Sequence, residues 1–124
     1  MPGRLARWIY GAAAAYGFLV LTPLLFVEGQ MARIDGRPLG HPEYYYGFLA
    51  AALVFQFVFV LIARDPVRLR PVMVASILEK LAWGLVVAVL VLQGRTHGAV
   101  VVFAALDVLW APLFGWAYAR TPRS

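Results

Sequence analysis

The chain has 124 residues, of which 63% are hydrophobic and 14% charged, with a net charge of +5 and no cysteine. That length allows one domain at most, and a soluble domain of this size could not hide so much apolar surface in a single core. Without cysteine there are no disulfides, thiolate chemistry or cysteine metal sites, and arginines spread over several loops fit membrane topology signals and argue against a nucleic-acid partner.

A helix needs about 20 mostly apolar residues to cross the hydrocarbon core. The first such run is 6–27. Arg4 and Arg7 at its start resemble the positive n-region of a secretory signal. The apolar run, however, exceeds the roughly 7–15 residues of a signal core, and no small-x-small cleavage site follows cleanly, so the segment is expected to be a retained helix. The polar stretch "EGQMARIDGRPLGHPE" follows and is expected to be a loop. Its "DGRPLGHP" turn chemistry, with Ile34 and Leu39, predicts an ordered loop against the bundle. The second span is 44–63, with Pro42 suited to a first helical turn, where a missing N–H costs nothing. "RDPVRLRP" leads through Pro71 into the third span, 71–92, and the short "QGRTHG" leads into the fourth, 98–118. None of the spans alternates apolar and polar residues as barrel strands do. The predicted fold is all-α, a single domain forming an integral membrane bundle of four transmembrane helices.

Arginine placement sets the orientation. Arg4, Arg7, Arg64, Arg68, Arg70, Arg120 and Arg123 fall on one side, and Arg33, Arg37 and Arg95 on the other. Both termini are expected in the cytoplasm of a bacterial-type inner membrane. Trp8, Tyr10, Trp116 and Tyr118 are then expected to form the inner aromatic belt, and Tyr44, Tyr45 and Tyr46 the outer one. Small residues four apart, Gly11/Ala15, Ala13/Gly17, Ala111/Gly115 and Gly115/Ala119, are candidates for close helix approaches.

Within the spans, polar residues fall into one layer. At 1.5 Å per residue, Glu79 lies about 12 Å from the start of the third span, and Gln56 and Tyr16 roughly 13–15 Å from the same side. Asp107 sits slightly deeper. Trp83 is one turn from Glu79 and Trp110 one turn from Asp107, and Pro112 frees the Val108 carbonyl and should kink the fourth span. Charges at this depth cost at least about 2.5–3.5 kcal/mol each, so they should face the bundle interior and find partners. Adjacent helical residues diverge by about 100°, so Glu79 and Lys80 are not expected to pair with each other. Lys80 should reach Asp107 or snorkel to the headgroups, leaving Glu79, as a neutral acid, to face Gln56 and Tyr16. These seven residues are the candidate ligand-binding or proton-linked site, and a structural polar pin is the competing reading. His41, Glu43, Glu28 and His97 share the outer side, but His41-Pro42-Glu43 reads as a helix start. No zinc spacing, phosphate-binding glycine loop or nucleophile triad is present, so no metal or cofactor is expected.

"IARDPVRLRPVMVASILEKLAWG", followed by "LDVLWAPLF", resembles the small bacterial four-helix membrane proteins of the DoxX-like kind. In that group an Ala-Arg-Asp-Pro turn joins the second and third helices, a lysine falls inside the third, and an acid followed by tryptophan and proline falls in the fourth. The matching positions are Ala63 to Pro66, Lys80, Asp107, Trp110 and Pro112, covering about the last half of the chain. The resemblance implies the four-helix fold, and that some relatives act as accessory subunits of redox systems.

Three functions are compatible with these residues. The first is binding of a hydrophobic small molecule such as a lipid or quinone, or docking on another membrane subunit or a second copy. The second is a membrane enzyme of sterol-isomerase-like type, in which paired carboxylates shuttle protons and aromatic rings steady a cation. The third is a small proton-coupled transporter, whose known four-helix examples depend on an acid in the first helix.

Overall fold

The computed structural model describes residues 3–36, 40–96 and 98–123. The helices run α1 (Arg4–Leu24), α2 (Glu28–Asp35), α3 (Pro42–Arg64), α4 (Arg70–Leu92), α5 (Gly98–Val108) and α6 (Trp110–Arg120), with no strand among the described residues. Four spans are long and apolar enough to cross a membrane: α1, α3, α4, and α5 with α6 taken together. Apolar side chains such as Phe57, Leu85, Val102 and Leu109 point outward, which water would penalise and hydrocarbon does not. The chain is a multi-pass membrane protein.

The first span ends earlier than expected. After Leu24 the turn tightens, with Leu25 N–H donating to Thr22 O and Phe26 N–H to Pro23 O, and the chain then enters α2. The stretch expected to be a loop is therefore a two-turn helix over its first eight residues. Eight residues are too few to show an apolar period, but the end signals are there. Glu28 lies in the first turn, Arg33 in the last, and Gly36 at φ 80° closes the helix in the left-handed region that favours glycine. Leu39 and the centre of "DGRPLGHP" lie outside the described residues.

The fourth span is interrupted at Leu109, where Pro112 was expected to kink it. Proline supplies no N–H to the carbonyl four residues earlier, that of Val108.

The start of α1 and the end of α6 lie at one end of the bundle, and arginines hold that end together. Arg7 donates to the Ala63 and Arg64 carbonyls at 3.4 and 2.9 Å. Arg70 donates to the Tyr118 and Thr121 carbonyls at 3.2 and 2.8 Å and lies 3.8 Å over the Tyr118 ring. Two of the topology arginines thus also cap the carbonyl ends of α3 and α6.

Next to this end sits the core. Tyr10 stacks on Phe114, with centroids 4.3 Å apart and planes 8° from parallel, and meets Phe59 edge-on at 5.8 Å. Ala6, Ala13, Ala14 and Ala117 let the helices close around these rings. Tyr10 was expected in the lipid-facing belt, but it is fully buried. Its hydroxyl lies 2.6 Å from Ser76 Oγ, which donates to Met73 O, so the phenol's polar end is satisfied inside the bundle. Tyr118 is likewise half-buried under Arg70, whereas Trp8 and Trp116 stay exposed as a belt requires.

Candidate functional site

Away from the termini the bundle opens. α1 packs on α3, and α4 on α5; α6 joins both pairs, while α3 and α4 meet only slightly. At the far end the two pairs part around a cavity of about 210 Å³. Its walls come from α1, α3, α4 and α5, with Met31 of α2 at the rim. Tyr45 donates to Leu24 O, and Tyr46 donates to Glu28 Oε1 at 2.8 Å, so α3 holds the start of α2 against the bundle.

The polar layer read from the sequence converges here. Tyr16, Gln56, Glu79, Lys80, Trp83 and Asp107 all line the cavity. Trp110 does not. It stands behind, with its ring 5.7 Å from that of Tyr16 and 6.0 Å from Phe114, and so joins the cavity wall to the core. Trp83 lies against Phe48, with ring centroids 5.0 Å apart.

Lys80 donates to Asp107 Oδ1 at 2.8 Å, as the depths in the sequence suggested. The expected separation of Glu79 from Lys80 is corrected: Glu79 Oε2 lies 3.6 Å from Lys80 Nζ, so one ammonium serves two carboxylates. Neighbouring Cβ atoms do diverge, but the four-carbon lysine stem is long enough to swing its head back across that angle. Glu79 makes no hydrogen bond to Gln56 or Tyr16. Gln56 instead donates to Ala52 O, one turn back on its own helix, at 2.8 Å. That leaves Gln56 Oε1 and Glu79 Oε2 buried without hydrogen-bond partners.

Gly17 explains how Gln56 fits. A Cβ at residue 17 would overlap the Gln56 amide, so the side chain occupies the notch that glycine leaves in α1. Of the small-residue pairs, Ala13/Gly17 is thus the one with both members buried against a neighbour. A second close approach, Gly84 against Val108, was not anticipated.

The apolar wall was not named from the sequence either, although a signal was present. Tyr45, Phe48, Leu49 and Ala52 precede Gln56 at helical spacing, and Val100 and Phe103 precede Asp107 in the same way. Extending each polar position along its own helix face yields most of the lining. At the rim His41 Nδ1 lies 3.1 Å from Glu43 Oε1, while Glu28 is engaged by Tyr46; His97 lies outside the described residues.

Chemically, the site is an apolar slot with one buried cation and two carboxylates at its inner end. Comparison with family models, with curated proteins and with solved structures gave no match for this chain.

Proposed function

We propose that this chain binds a hydrophobic small molecule, of lipid or quinone kind, in the cavity between the two helix pairs. The observation that carries the reading is the lining itself. Apolar walls that end on a few convergent polar groups are the usual form of a small-molecule site. For scale, an apolar cavity of about 150 Å³ holds benzene. A space of about 210 Å³ takes a ring or short branched body and leaves a longer tail to run out into lipid.

Docking of the occupied bundle on another membrane subunit, as the DoxX-like resemblance implies, belongs to the same proposal. So does an orientation with both termini in the cytoplasm of a bacterial-type inner membrane, for which the arginine count is the support. A carboxy-terminal alkaline phosphatase fusion should be inactive, and an active one would reverse the orientation. The transporter alternative gains no support here, because α1 carries no acidic residue and Glu28 opens α2.

The binding test uses protein extracted with its native lipids in polymer nanodiscs. Mass spectrometry should find a hydrophobic molecule retained through purification by the native chain and lost from Ala52→Trp. Ala52 holds Gln56 only through its backbone carbonyl, which the substitution keeps, so the larger ring fills the space. Equal retention by two equally helical proteins would sink the proposal.

A further inference from the structure

The inner end of the cavity does not offer its charges evenly. The Lys80 side chain is 4% exposed, whereas those of Glu79 and Asp107 are 26% and 24% exposed. The ammonium is enclosed by its two carboxylates, with the Phe59 ring 5.2 Å away, so an incoming molecule meets oxygen before nitrogen. Gln56 adds to this. Its Nε2 donates to Ala52 O, and its carbonyl oxygen, on a residue only 2% exposed, sits in the Gly17 notch without a partner. Glu79 Oε2 is a second buried acceptor without a hydrogen bond. Tyr16 can donate or accept and does not discriminate. The slot therefore ends in surplus acceptors, and buried acceptors without donors are costly to leave unmade.

We propose that the polar end of this cavity selects molecules whose head donates hydrogen bonds, a hydroxyl or an ammonium on an apolar body, and rejects anionic heads. An alcohol or phenol supplies one O–H to the exposed part of a carboxylate without disturbing the Lys80–Asp107 contact. An ammonium supplies up to three N–H groups and balances the second carboxylate. A carboxylate or phosphate head would place a third negative charge beside two others, with Lys80, the only cation among the described lining residues, already taken. An ether or ester of the same shape fills the slot but leaves the acceptors as they are. This inference rests on the cavity being a binding site at all.

The test uses four para-substituted bromobenzenes of similar size: para-bromophenol, para-bromobenzylamine, para-bromoanisole and para-bromobenzoate. Bromine quenches indole fluorescence on contact, and Trp83 lines the slot, so the saturable quenching lost in Trp83→Phe reports occupancy. In phosphatidylcholine nanodiscs the phenol and the amine should each bind at least about tenfold more tightly than the anisole, the effect of one hydrogen bond to a charged or buried acceptor. Whichever of the two is tighter identifies the source as a neutral alcohol or a cation. The benzoate should be weakest. Glu79→Leu, checked for native helicity, should narrow the gap between phenol and anisole. Equal saturable binding of phenol and anisole, or tightest binding by the benzoate, overturns the donor preference and leaves the cavity as a binding site. No saturable Trp83-dependent quenching by any of the four overturns the binding reading and this inference together.

Discussion

Lys80→Met is expected to destabilise the bundle by about 3–5 kcal/mol, the usual cost of removing one partner from a buried ion pair. The methionine matches the lysine stem in length and apolar character, so the lost packing is small. The main effect is electrostatic. Asp107 and Glu79 both rely on Lys80 Nζ, at 2.8 and 3.6 Å, and without it two carboxylates face one another with no cation. Because each carboxylate is about a quarter exposed to the cavity, the loss should fall toward the lower end of that range. Asp107→Asn should be milder, since Glu79 remains to balance the lysine. The triple variant Lys80→Met, Glu79→Gln, Asp107→Asn should regain most of the loss, because a neutral replacement of a whole buried charge cluster is often tolerated. Unfolding midpoints in mixed micelles read all three. A Lys80→Met protein as stable as the native chain would mean that the lysine reaches the headgroups and not Asp107.

The aromatic core gives the second large effect. Tyr10→Ala should cost about 3–5 kcal/mol, as for other fully buried aromatic rings. In a bilayer the loss is of dispersion contacts, since lipid tails are no less apolar than the core. The ring fills the space between Phe114 and Phe59. Tyr10→Phe should cost only about 1 kcal/mol, because Ser76 Oγ keeps its bond to Met73 O. Trp8→Ala, on the lipid-facing side of the same helix, should change the unfolding midpoint little. If Tyr10→Ala and Trp8→Ala proved equally mild, Tyr10 would belong to the interfacial belt after all.

That contrast shows what the sequence could and could not reveal. The spans were legible because a bilayer demands about 20 apolar residues in a row, and few other contexts do. The Lys80–Asp107 contact was legible because rise per residue converts position into depth, and two opposite charges at similar depth seek each other. Rotation about the helix axis was the harder quantity. Belt positions and core positions occur at the same depth, so depth alone placed Tyr10 among the belt residues. Nothing local distinguishes it from Trp8; the difference lies in what faces it, Ser76 and Phe114, both distant in the chain. Glu79 was misjudged for a different reason. Backbone angle fixed where its Cβ points, but the reach of the neighbouring lysine decides which heads meet. α2 escaped because two turns of helix in polar sequence leave no periodic trace, only the end signals at Glu28 and Gly36.

The break at Leu109 gives the fourth span two mechanical roles. Below it, α6 is wedged between α1 and α4 and carries Phe114 into the core. Above it, α5 carries Val100, Phe103 and Asp107 along one side of the slot. The joint lacks the hydrogen bond that a proline at 112 cannot make, so bending there requires less force than bending an intact helix. A swing of α5 about this joint would move one wall of the slot and leave the stacked rings of the core in place. Compliance is thereby concentrated on the side of the slot, and stiffness on the side that keeps the four spans together. On the binding proposal, exchange of a guest and unfolding of the bundle would be governed by different parts of one polypeptide segment, and each could be tuned without the other.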